Sequence, residues 1–485
     1  EGFALADYVY AQGTQAGFLF ELMFLPRASR PFDTPKDYED YLARLAAVPA
    51  YLAQNTALLQ QGIKTDRVQA RISMAPIVAL AKQLAMTTLE KNPLYQPFTE
   101  FPQDFSQAQR KSIGAQARAL FDERVLPALQ QLHDFFAGPY TQAAAPRPGL
   151  LHQPKGDPYY KYLISRHTTT NKTAKEIHNI GLAEVKRIQG EMRGIMQQLG
   201  FKGDLQDFIA SLRQNPDFYA KTEQELLKQA MWIANKINGE VPALIGKLPR
   251  KPYTIAPVPA AIAPDYTSGR YVGGTRPTQA GTYWVNTWDL PSRPLFGLPA
   301  LTAHEAVPGH HLQIALAQEL IGLPEFRQHL GFTAYVEGWA LYAEYLGIAM
   351  GIYTTPYEHF GRLSFEMWRA CRLVVDTGIH ALGWSRNQAI DYMAANTALS
   401  RKDIEVEVDR YISWPGQALG YKMGELTIKA LRVEAEKTLG DNFDIREFHD
   451  LVLGTGPIPL AMLEQRVNSW IATQADLIKT AEQEK

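Results

Sequence analysis

The sequence has little cysteine, no long apolar run and no excess of charge of either sign. Of its 485 residues only Cys371 is a cysteine, which excludes an intrachain disulfide and a cysteine-based zinc cluster. No run of about 18 apolar residues occurs, so no segment is predicted to span a membrane. The 49 Lys and Arg residues balance 50 Asp and Glu residues, and this balance leaves no basic surface for binding nucleic acid.

The signatures of several common enzyme classes are also missing. The sequence contains no Gly-x-Ser-x-Gly nucleophile elbow, no Walker phosphate loop and no Gly-x-Gly-x-x-Gly dinucleotide fingerprint. Cys371 lies within an apolar helical pattern, which is typical of a core residue and not of a nucleophile. These absences disfavour hydrolysis through a serine or cysteine nucleophile and chemistry that depends on a nucleotide.

The residues that are present indicate a large helical protein. Hydrophobic residues make up 46% of the chain, which is ordinary for a globular protein with a substantial core. Thr34, Thr173 and Thr222 are each followed three positions later by Asp or Glu, which is typical of a helix N-cap. The pattern further predicts that Pro49 interrupts the first of these helices, and that a helix over 106–136 ends at the following Gly-Pro pair.

The segment 242–299 breaks the helical pattern because it is rich in proline. Within it, Arg270 to Gly273 and Thr282 to Trp288 have the aromatic and β-branched content of strands. We predict a mainly α, two-lobed fold with a short antiparallel β-hairpin, at about 270–288, beside an active-site cleft. The lobes are predicted at 1–240 and 241–485, with a soft boundary between them.

The most informative motif is the segment His304-Glu305-Ala306-Val307-Pro308-Gly309-His310-His311. In the usual zinc motif, two histidines four positions apart share one helical face, and the Glu after the first is the general base. Here Pro308 stands where the second histidine belongs. Residues six apart on a regular helix are about 9 Å apart along the axis, whereas two nitrogens on one zinc ion lie within roughly 3.5 Å.

A local distortion of the helix resolves this conflict. Proline removes a helical N–H and glycine tolerates non-helical dihedral angles, and without the Pro-Gly pair the sequence reads His-Glu-Ala-Val-His. We therefore predict a zinc-binding helix with a two-residue bulge, in which His304 and His310 are ligands. His311 is the alternative to His310, because it lies on the face of His304 two turns away. Structural roles for all three histidines are the other interpretation.

Four motifs resemble the bacterial "domain of unknown function 885" family, namely His304 to His311, Tyr335 to Tyr342, Arg372 to His380 and Trp414 to Leu419. The resemblance is strongest from about residue 160 onward. It implies a helical zinc peptidase similar to neurolysin and angiotensin-converting enzyme, with one zinc ion per chain as the cofactor. A one-residue expansion of the same motif in the dipeptidyl peptidase III family is a precedent for an interrupted zinc helix.

A catalytic zinc ion keeps three protein ligands and one open position for water. In the helical zinc peptidases that this sequence resembles, the third ligand is a Glu from a later helix. Glu337 lies 27 positions after His310 and has the corresponding place. Glu344 shares a helical face with Glu337 and is predicted to orient a ligand histidine.

The remaining predicted catalytic groups surround this centre. Glu305 follows a ligand directly and is predicted to be the general base. The resemblance implies a Tyr from a late helix as oxyanion donor, for which Tyr421 is the candidate. Arg372, Asp376 and His380 recur every four residues on one helical stripe. They form either an ion-pair ladder or a catalytic pair in which the aspartate fixes the tautomer of His380, a second proton donor.

Substrate-binding residues are predicted from three places in the sequence. A free strand edge at 283–287, with Tyr283 and Asn286, is suited to pair with an extended peptide. Arg276 is either a clamp for a peptide C-terminal carboxylate or an exposed turn residue. Gln417 and Lys422 are further candidates for binding a substrate carboxylate or carbonyl group.

These observations predict a zinc-dependent peptidase that acts on short peptides. The alternatives are a zinc amidohydrolase acting on a non-peptide amide and a non-catalytic helical protein that binds peptides. The cleavage mode and the oligomeric state stay open at this point. The chain starts with Glu rather than Met, so a removed leader or lipid anchor is not testable from it, and the family resemblance favours the cell envelope or secretion over the cytoplasm.

Overall fold

A computed structural model describes residues 2–29, 32–260, 262–274, 278–324, 326–327 and 330–483. Helices account for most of this part of the chain, and the strands that it contains form one small sheet. The predicted mainly α fold with a small β element is therefore confirmed. Among the described helices, none combines the length and the apolar composition that crossing a membrane requires.

The helices of the N-terminal half are α1 (Phe18–Met23), α2 (Leu25–Ala28), α3 (Pro35–Lys64), α4 (Met74–Met86), α5 (Gln107–Leu120), α6 (Leu126–Phe135), α7 (Thr141–Ala143), α8 (Gly156–Thr168), α9 (Ala174–Gln198), α10 (Leu205–Gln214) and α11 (Glu223–Glu240). Those of the C-terminal half are α12 (Leu298–Glu305), α13 (His310–Gln318), α14 (Thr333–Leu346), α15 (Pro356–Ala381), α16 (Arg386–Asn396), α17 (Arg401–Ser413), α18 (Gly420–Leu439), α19 (Ile445–Leu453) and α20 (Leu460–Gln483).

The predicted helix starts are confirmed by their hydrogen bonds. Thr34 and Thr173 each form a capping box with the acidic residue three positions later, and the side chain of Thr222 accepts a bond from the backbone N–H of Glu225. The predicted interruption at Pro49 is wrong, because α3 continues through it. The apolar face of α3 is buried over most of its length, and this burial outweighs the one backbone hydrogen bond that a proline removes.

The predicted helix end at Gly138 and Pro139 is also wrong. Two π-helical segments, Phe121–Val125 and Phe136–Tyr140, join α5, α6 and α7 into one continuous helical stretch. Phe136 and Tyr140 are fully buried, and the hydroxyl of Tyr140 accepts a bond from the backbone N–H of Gln69. Burial of these two aromatic side chains carries the helix through a pair of residues that usually end one.

The chain divides into two compact units. Unit 1 consists of Glu1–Tyr162, Gly378–Ala389 and Glu405–Pro415, and unit 2 of Leu163–Thr377, Ile390–Ile404 and Gly416–Lys485. Unit 1 has a core rich in aromatic side chains from α1 and α3 to α6, and unit 2 has its own core around the sheet and α12, α14, α18 and α20. The predicted boundary near residue 240 falls inside unit 2.

The sheet has three strands, β1 (Tyr253–Pro257), β2 (Gly269–Val272) and β3 (Gly281–Val285), in the order β1-β3-β2. The antiparallel pair of β2 with β3 is the predicted hairpin, with Tyr271 opposite Tyr283. The parallel pair of β1 with β3 was not predicted. Because β3 is paired on both sides, the predicted free edge along it is wrong, and a peptide cannot add to the sheet there.

Helices α14 and α18 contact each other backbone to backbone. A Cβ atom added at Gly424 would lie 1.8 Å from the carbonyl oxygen of Ala334, and one added at Gly338 would lie 2.5 Å from the Cα atom of Gly424. Only glycine permits so close an approach. This contact brings Glu337 on α14 near Tyr421 on α18, the two residues predicted to act at the same site.

We expect Gly424→Ala to lower the free energy of unfolding by about 3 kcal/mol, since the new methyl group forces two packed backbones apart. The measurement is the urea-unfolding midpoint followed by circular dichroism. Gly190→Ala on α9 is the matched control, because no atom lies within 4 Å of the Cβ position there. A Gly424→Ala protein as stable as the control would contradict the described contact.

Candidate metal centre

The zinc-motif segment forms two helices and not one. Helix α12 ends at Glu305 and α13 begins at His310, with a cis peptide bond between Val307 and Pro308. The backbone leaves the helical region at Ala306, where ψ is −121°. The predicted two-residue bulge is thus a complete break, because non-helical dihedral angles occur on both sides of the proline.

The break folds back onto the end of α12. A Cβ atom at Gly309 would lie 2.0 Å from the carbonyl oxygen of His304, so only glycine fits at this point. The indole N–H of Trp339 on α14 donates to the carbonyl oxygen of Pro308 at 2.7 Å. These contacts hold the start of α13 next to His304.

This fold-back brings three predicted ligands together. Nε2 of His310 lies 3.3 Å from a carboxylate oxygen of Glu337, and Nε2 of His304 lies 3.8 Å from the same oxygen. One ligand atom from each residue lies within 4.8 Å of the other two. Within the described part of the chain, this is the group of three side chains whose geometry could hold a metal ion.

The chemistry of the group fits a zinc ion. Two imidazoles and one carboxylate are a known donor set for catalytic zinc, and bonds of about 2.0–2.2 Å place ligand atoms roughly 3.3–3.5 Å apart. The Nδ1 atom of His304 lies 2.8 Å from a carboxylate oxygen of Glu344. When Glu344 is ionised, it accepts a hydrogen bond from Nδ1–H of His304, which leaves the Nε2 lone pair directed toward His310 and Glu337.

The charges around the group affect its acid–base behaviour. Burial lowers the pKa of His304 well below its usual value. Burial opposes ionisation of Glu337, yet the neighbouring His310 and Arg372 charges hold its pKa below the usual range. For His310, burial also opposes the charged form, but the Glu337 carboxylate raises its pKa. Burial raises the pKa of Glu344 to about 8, and the guanidinium of Arg369, at 3.7 Å, opposes this shift.

Glu305 is held at this centre by the sheet. The backbone N–H of Tyr271 in β2 donates to one of its carboxylate oxygens at 2.6 Å. Burial raises the pKa of Glu305, and the charge of His310 acts against this. The outer edge of β2 therefore positions the predicted general base, a role for the hairpin that the sequence did not indicate.

Tyr421 also reaches the centre. Its hydroxyl hydrogen-bonds to Glu337 and contributes to the lowered pKa of that carboxyl group. The guanidinium of Arg372 lies 4.3 Å from the centroid of the Tyr421 ring and 4.5 Å from that of Trp368. Stacking of this kind restrains the orientation of the tyrosine ring.

His311 lies outside the group of three. Its Nδ1 atom is 3.0 Å from the hydroxyl of Tyr271, and its ring packs against Tyr253 with centroids 4.6 Å apart. Burial lowers the pKa of His311 to about 4. Of the two alternative second histidines, the structure thus brings His310 and not His311 to His304 and Glu337.

Of the two arrangements predicted for Arg372, Asp376 and His380, the catalytic pair of Asp376 with His380 is wrong, because His380 bonds to backbone groups. The three residues share one stripe of α15, and all three are buried. His380 belongs to unit 1, where Nε2 donates to the carbonyl oxygen of Tyr411 at 3.0 Å and Nδ1 accepts from the N–H of Leu150 at 3.3 Å. Since both ring nitrogens bond to backbone, His380 is not available as a proton donor.

Asp376 does not orient His380. Both of its carboxylate oxygens lie 3.1 Å from the backbone N–H of Gly416, in unit 2. The four-residue spacing correctly predicted a common stripe. An ion-pair ladder along this stripe stays a prediction.

We expect the buried His380 to make the protein less stable in acid. Burial lowers its pKa to about 4, whereas an unfolded histidine titrates near 6.5. The unfolded state therefore takes up a proton first, and stability falls as the pH falls from 6.5 toward 4. At pH 4.5 the free energy of unfolding is therefore about 2–3 kcal/mol lower than at pH 7.

The measurement is the free energy of urea unfolding at pH 7.0 and 4.5 for the wild type and for His380→Gln. The variant is expected to lose this part of the pH dependence, although it is less stable at pH 7. His152→Gln, at an exposed position of the same unit, is the control. An unchanged pH dependence in His380→Gln would show that the histidine is not neutral in the folded protein.

Three of the predicted substrate-binding side chains are buried and make other contacts, namely Lys422, Tyr283 and Asn286. Lys422 is fully buried, with its Nζ atom 2.9 Å from Glu184 and 2.8 Å from Glu366. Tyr283 is fully buried beneath α12, 3.4 Å from the hydroxyl of Thr302. Both side chains are therefore used inside the protein, Lys422 in ion pairs and Tyr283 in the packing of the sheet against α12.

The amide of Asn286 organises the loop before β2. Its Nδ2 atom lies within hydrogen-bonding distance of the carbonyl oxygens of Ala263, Tyr266 and Thr267, and its Oδ1 accepts from the N–H of Trp288. These bonds leave the side chain no group for a substrate. Gln417 is buried just before α18, and its role in substrate binding stays a prediction. Arg276 lies outside the described residues.

Comparisons with known proteins agree with this fold. Residues 6–467 match the family described as "Bacterial protein of unknown function (DUF885)". The structure of a putative lipoprotein from Colwellia psychrerythraea is 33% identical, with a TM-score of 0.88 over 94% of this chain and 80% of that one. No curated protein matches the chain.

A putative lipoprotein of unknown function from Shewanella oneidensis is similar in fold alone. It is 20% identical, with a TM-score of 0.65 over 90% of this chain and 81% of that one.

Proposed function

This chain belongs to the bacterial protein family DUF885, and we propose that it is a zinc-dependent peptidase that hydrolyses short peptides. One observation carries the proposal. His304, His310 and Glu337 each direct a ligand atom to a common point, within 4.8 Å of one another, and Glu305 directly follows the first of them. A structural role alone does not require two buried imidazoles and a carboxylate to meet in this way.

A bound zinc ion supplies a Lewis acid that polarises the peptide carbonyl and lowers the pKa of a water molecule. His304 and His310 would hold it through Nε2, and Glu337 through a carboxylate oxygen. Glu344 keeps the ring of His304 in the orientation that binding needs.

The protein side chains then move the protons. Glu305 takes a proton from the attacking water and passes it to the leaving amine, while the N–H of Tyr271 holds its carboxylate in place. Tyr421 exchanges its bond to Glu337 for one to the carbonyl oxygen, on which negative charge develops. Arg372 keeps the tyrosine ring in position for this exchange.

We place this activity in the bacterial cell envelope. The two solved structures compared above are of putative lipoproteins, which supports an envelope location for a relative with the same fold. A peptidase there would meet oligopeptides as they cross the envelope.

Metal content and a peptide-library digest test the proposal together. We expect about one zinc ion per chain by plasma mass spectrometry, and cleavage of short peptides that stops when a chelator removes the metal. Zinc binding with hydrolysis of only non-peptide amides would favour an amidohydrolase. A protein that binds peptides but holds no zinc would be a non-catalytic binder, and either result would overturn the peptidase proposal.

A further inference from the structure

Unit 2 contains a cavity of about 270 Å³ that none of the residues discussed as catalytic lines. Its walls are mainly apolar and include Leu212, Phe296, Leu301 and Trp368. This volume is near the lower end of the range for small-molecule sites and is sufficient for one large side chain. The lining therefore favours a bulky apolar group over a polar one.

The cavity lies next to the candidate metal centre. Leu301 is on α12 one turn before His304, and Trp368 is stacked against Arg372, which in turn contacts Tyr421. These shared elements place the cavity wall and the metal-binding side chains side by side.

The distance between the two sites can be expressed in residues of an extended peptide. Ser268 lines the cavity and lies three residues before Tyr271, whose N–H holds Glu305. Three residues of extended chain span about 10 Å. We consider a peptide bound along the outer edge of β2 with its scissile bond at Glu305. The residue about two or three positions from that bond would then reach the cavity.

Two cations, Arg213 and Arg293, interrupt the apolar wall. The guanidinium of Arg213 already donates to the carbonyl oxygens of Ala398 and Leu399. Arg293 lines the cavity, and its Nε atom is buried with no hydrogen-bond partner among the described residues. Burial lowers the pKa of Arg293, and Asp403, on the same wall, only partly offsets this effect. A guanidinium in such a place gains most from a ligand that brings a carboxylate, which can accept two parallel N–H bonds.

We propose that this cavity binds the C-terminal residue of the substrate, with a bulky apolar side chain inside it and the free α-carboxylate on Arg293. The inference rests on the proposed peptidase function and names its substrate class, peptides that end in a large apolar residue. Cleavage then occurs about two or three residues from the C-terminus.

A binding experiment tests the cavity independently of catalysis. The probes are N-acetyl-L-phenylalanine and its C-terminal amide, measured by ligand-observed NMR on the full chain after metal removal with EDTA. We expect the acid to bind at least about tenfold more tightly than the amide. Arg293→Gln should remove this preference and still bind the amide.

Filling the cavity provides the second variant. Ala398→Trp adds a large side chain at a wall position outside the regular helices and should abolish binding of both probes. Ala395→Trp, at an exposed position three residues earlier, is the control and should bind as the wild type does. Equal affinity for acid and amide, or unchanged binding in Ala398→Trp, would overturn the proposal.

The zinc-loaded protein provides the third readout. A pentapeptide that ends in Phe is compared with its C-terminal amide and with the same peptide ending in Gly. We expect kcat/KM to be at least about tenfold lower for both analogues. Equal cleavage of all three would overturn the cavity assignment and leave the peptidase proposal intact. If no peptide is cleaved, the peptidase proposal fails, and the probes still decide whether the cavity binds an apolar carboxylate.

Discussion

Glu305→Gln is expected to lower kcat for peptide hydrolysis by about a thousandfold while zinc content stays at the wild-type level. The amide has nearly the shape of the carboxylate and can still accept the bond from the N–H of Tyr271. It cannot take a proton from water, and a positioned general base contributes about 10²- to 10⁴-fold to rate. Zinc content is measured by plasma mass spectrometry and hydrolysis with the pentapeptide that ends in Phe.

The control for this variant is Glu464→Gln, an exposed carboxylate on α20. This variant should cleave at the wild-type rate. That result would show that the loss of one negative charge does not cause the lower kcat of Glu305→Gln. A Glu305→Gln protein with more than about a tenth of the wild-type rate would refute the base assignment. A variant that loses both zinc and activity would instead mean that the carboxylate helps to hold the metal.

The meeting of His304 with His310 was predictable from the sequence, because the chemistry of zinc ligands restricts residue type and spacing. His304, Glu305 and His310 follow from one motif once the Pro-Gly pair is treated as an interruption. Glu337 came from the family resemblance, and its approach to Tyr421 depends on the contact of Gly338 on α14 with Gly424 on α18. Glycines inside helices are usually unfavourable, so such a pair is a signal that sequence reasoning could have used.

The residues around the group were less predictable, because their roles depend on neighbours that are distant in sequence. Periodicity placed His380 on the same helical stripe as Arg372, but periodicity does not reveal that its ring bonds to the backbone of Leu150 and Tyr411. Likewise, nothing local distinguishes Lys422 as a substrate ligand from Lys422 as the centre of buried ion pairs.

The fold shows the same division between local and distant effects. Helix caps depend on residues three apart, and those at Thr34, Thr173 and Thr222 were predicted correctly. Strand β1 escaped prediction because prolines border it and its partner β3 lies more than twenty residues later. Pro49 lies inside α3 because packing of a whole helical face outweighs one missing hydrogen bond.

The break between α12 and α13 explains how a six-residue spacing can serve one metal ion. On a continuous helix the two imidazoles would lie about 9 Å apart along the axis. Here Gly309 packs directly on the carbonyl oxygen of His304, and Trp339 bonds to Pro308, so the second helix starts beside the end of the first. The position of His310 is thus a property of the break and not of helical periodicity.

His310→Ala is therefore expected to weaken zinc binding by at least about a hundredfold, whereas His311→Ala should retain the metal. Loss of a residue that merely orients a ligand costs about 10- to 100-fold in affinity, and loss of a ligand costs more. His311, although adjacent, bonds to the hydroxyl of Tyr271 and packs on Tyr253. Competition with a chromophoric zinc chelator measures both affinities.

The two variants control for each other, since each removes one buried imidazole from the same turn of α13. His311→Ala is expected to lose some stability through the cavity that it leaves in the packing against the sheet. Comparing thermal unfolding with and without zinc separates this effect from metal binding, because zinc should stabilise His311→Ala and not His310→Ala. The reverse pattern would assign the ligand to His311 and would mean that the break turns α13 the other way in solution.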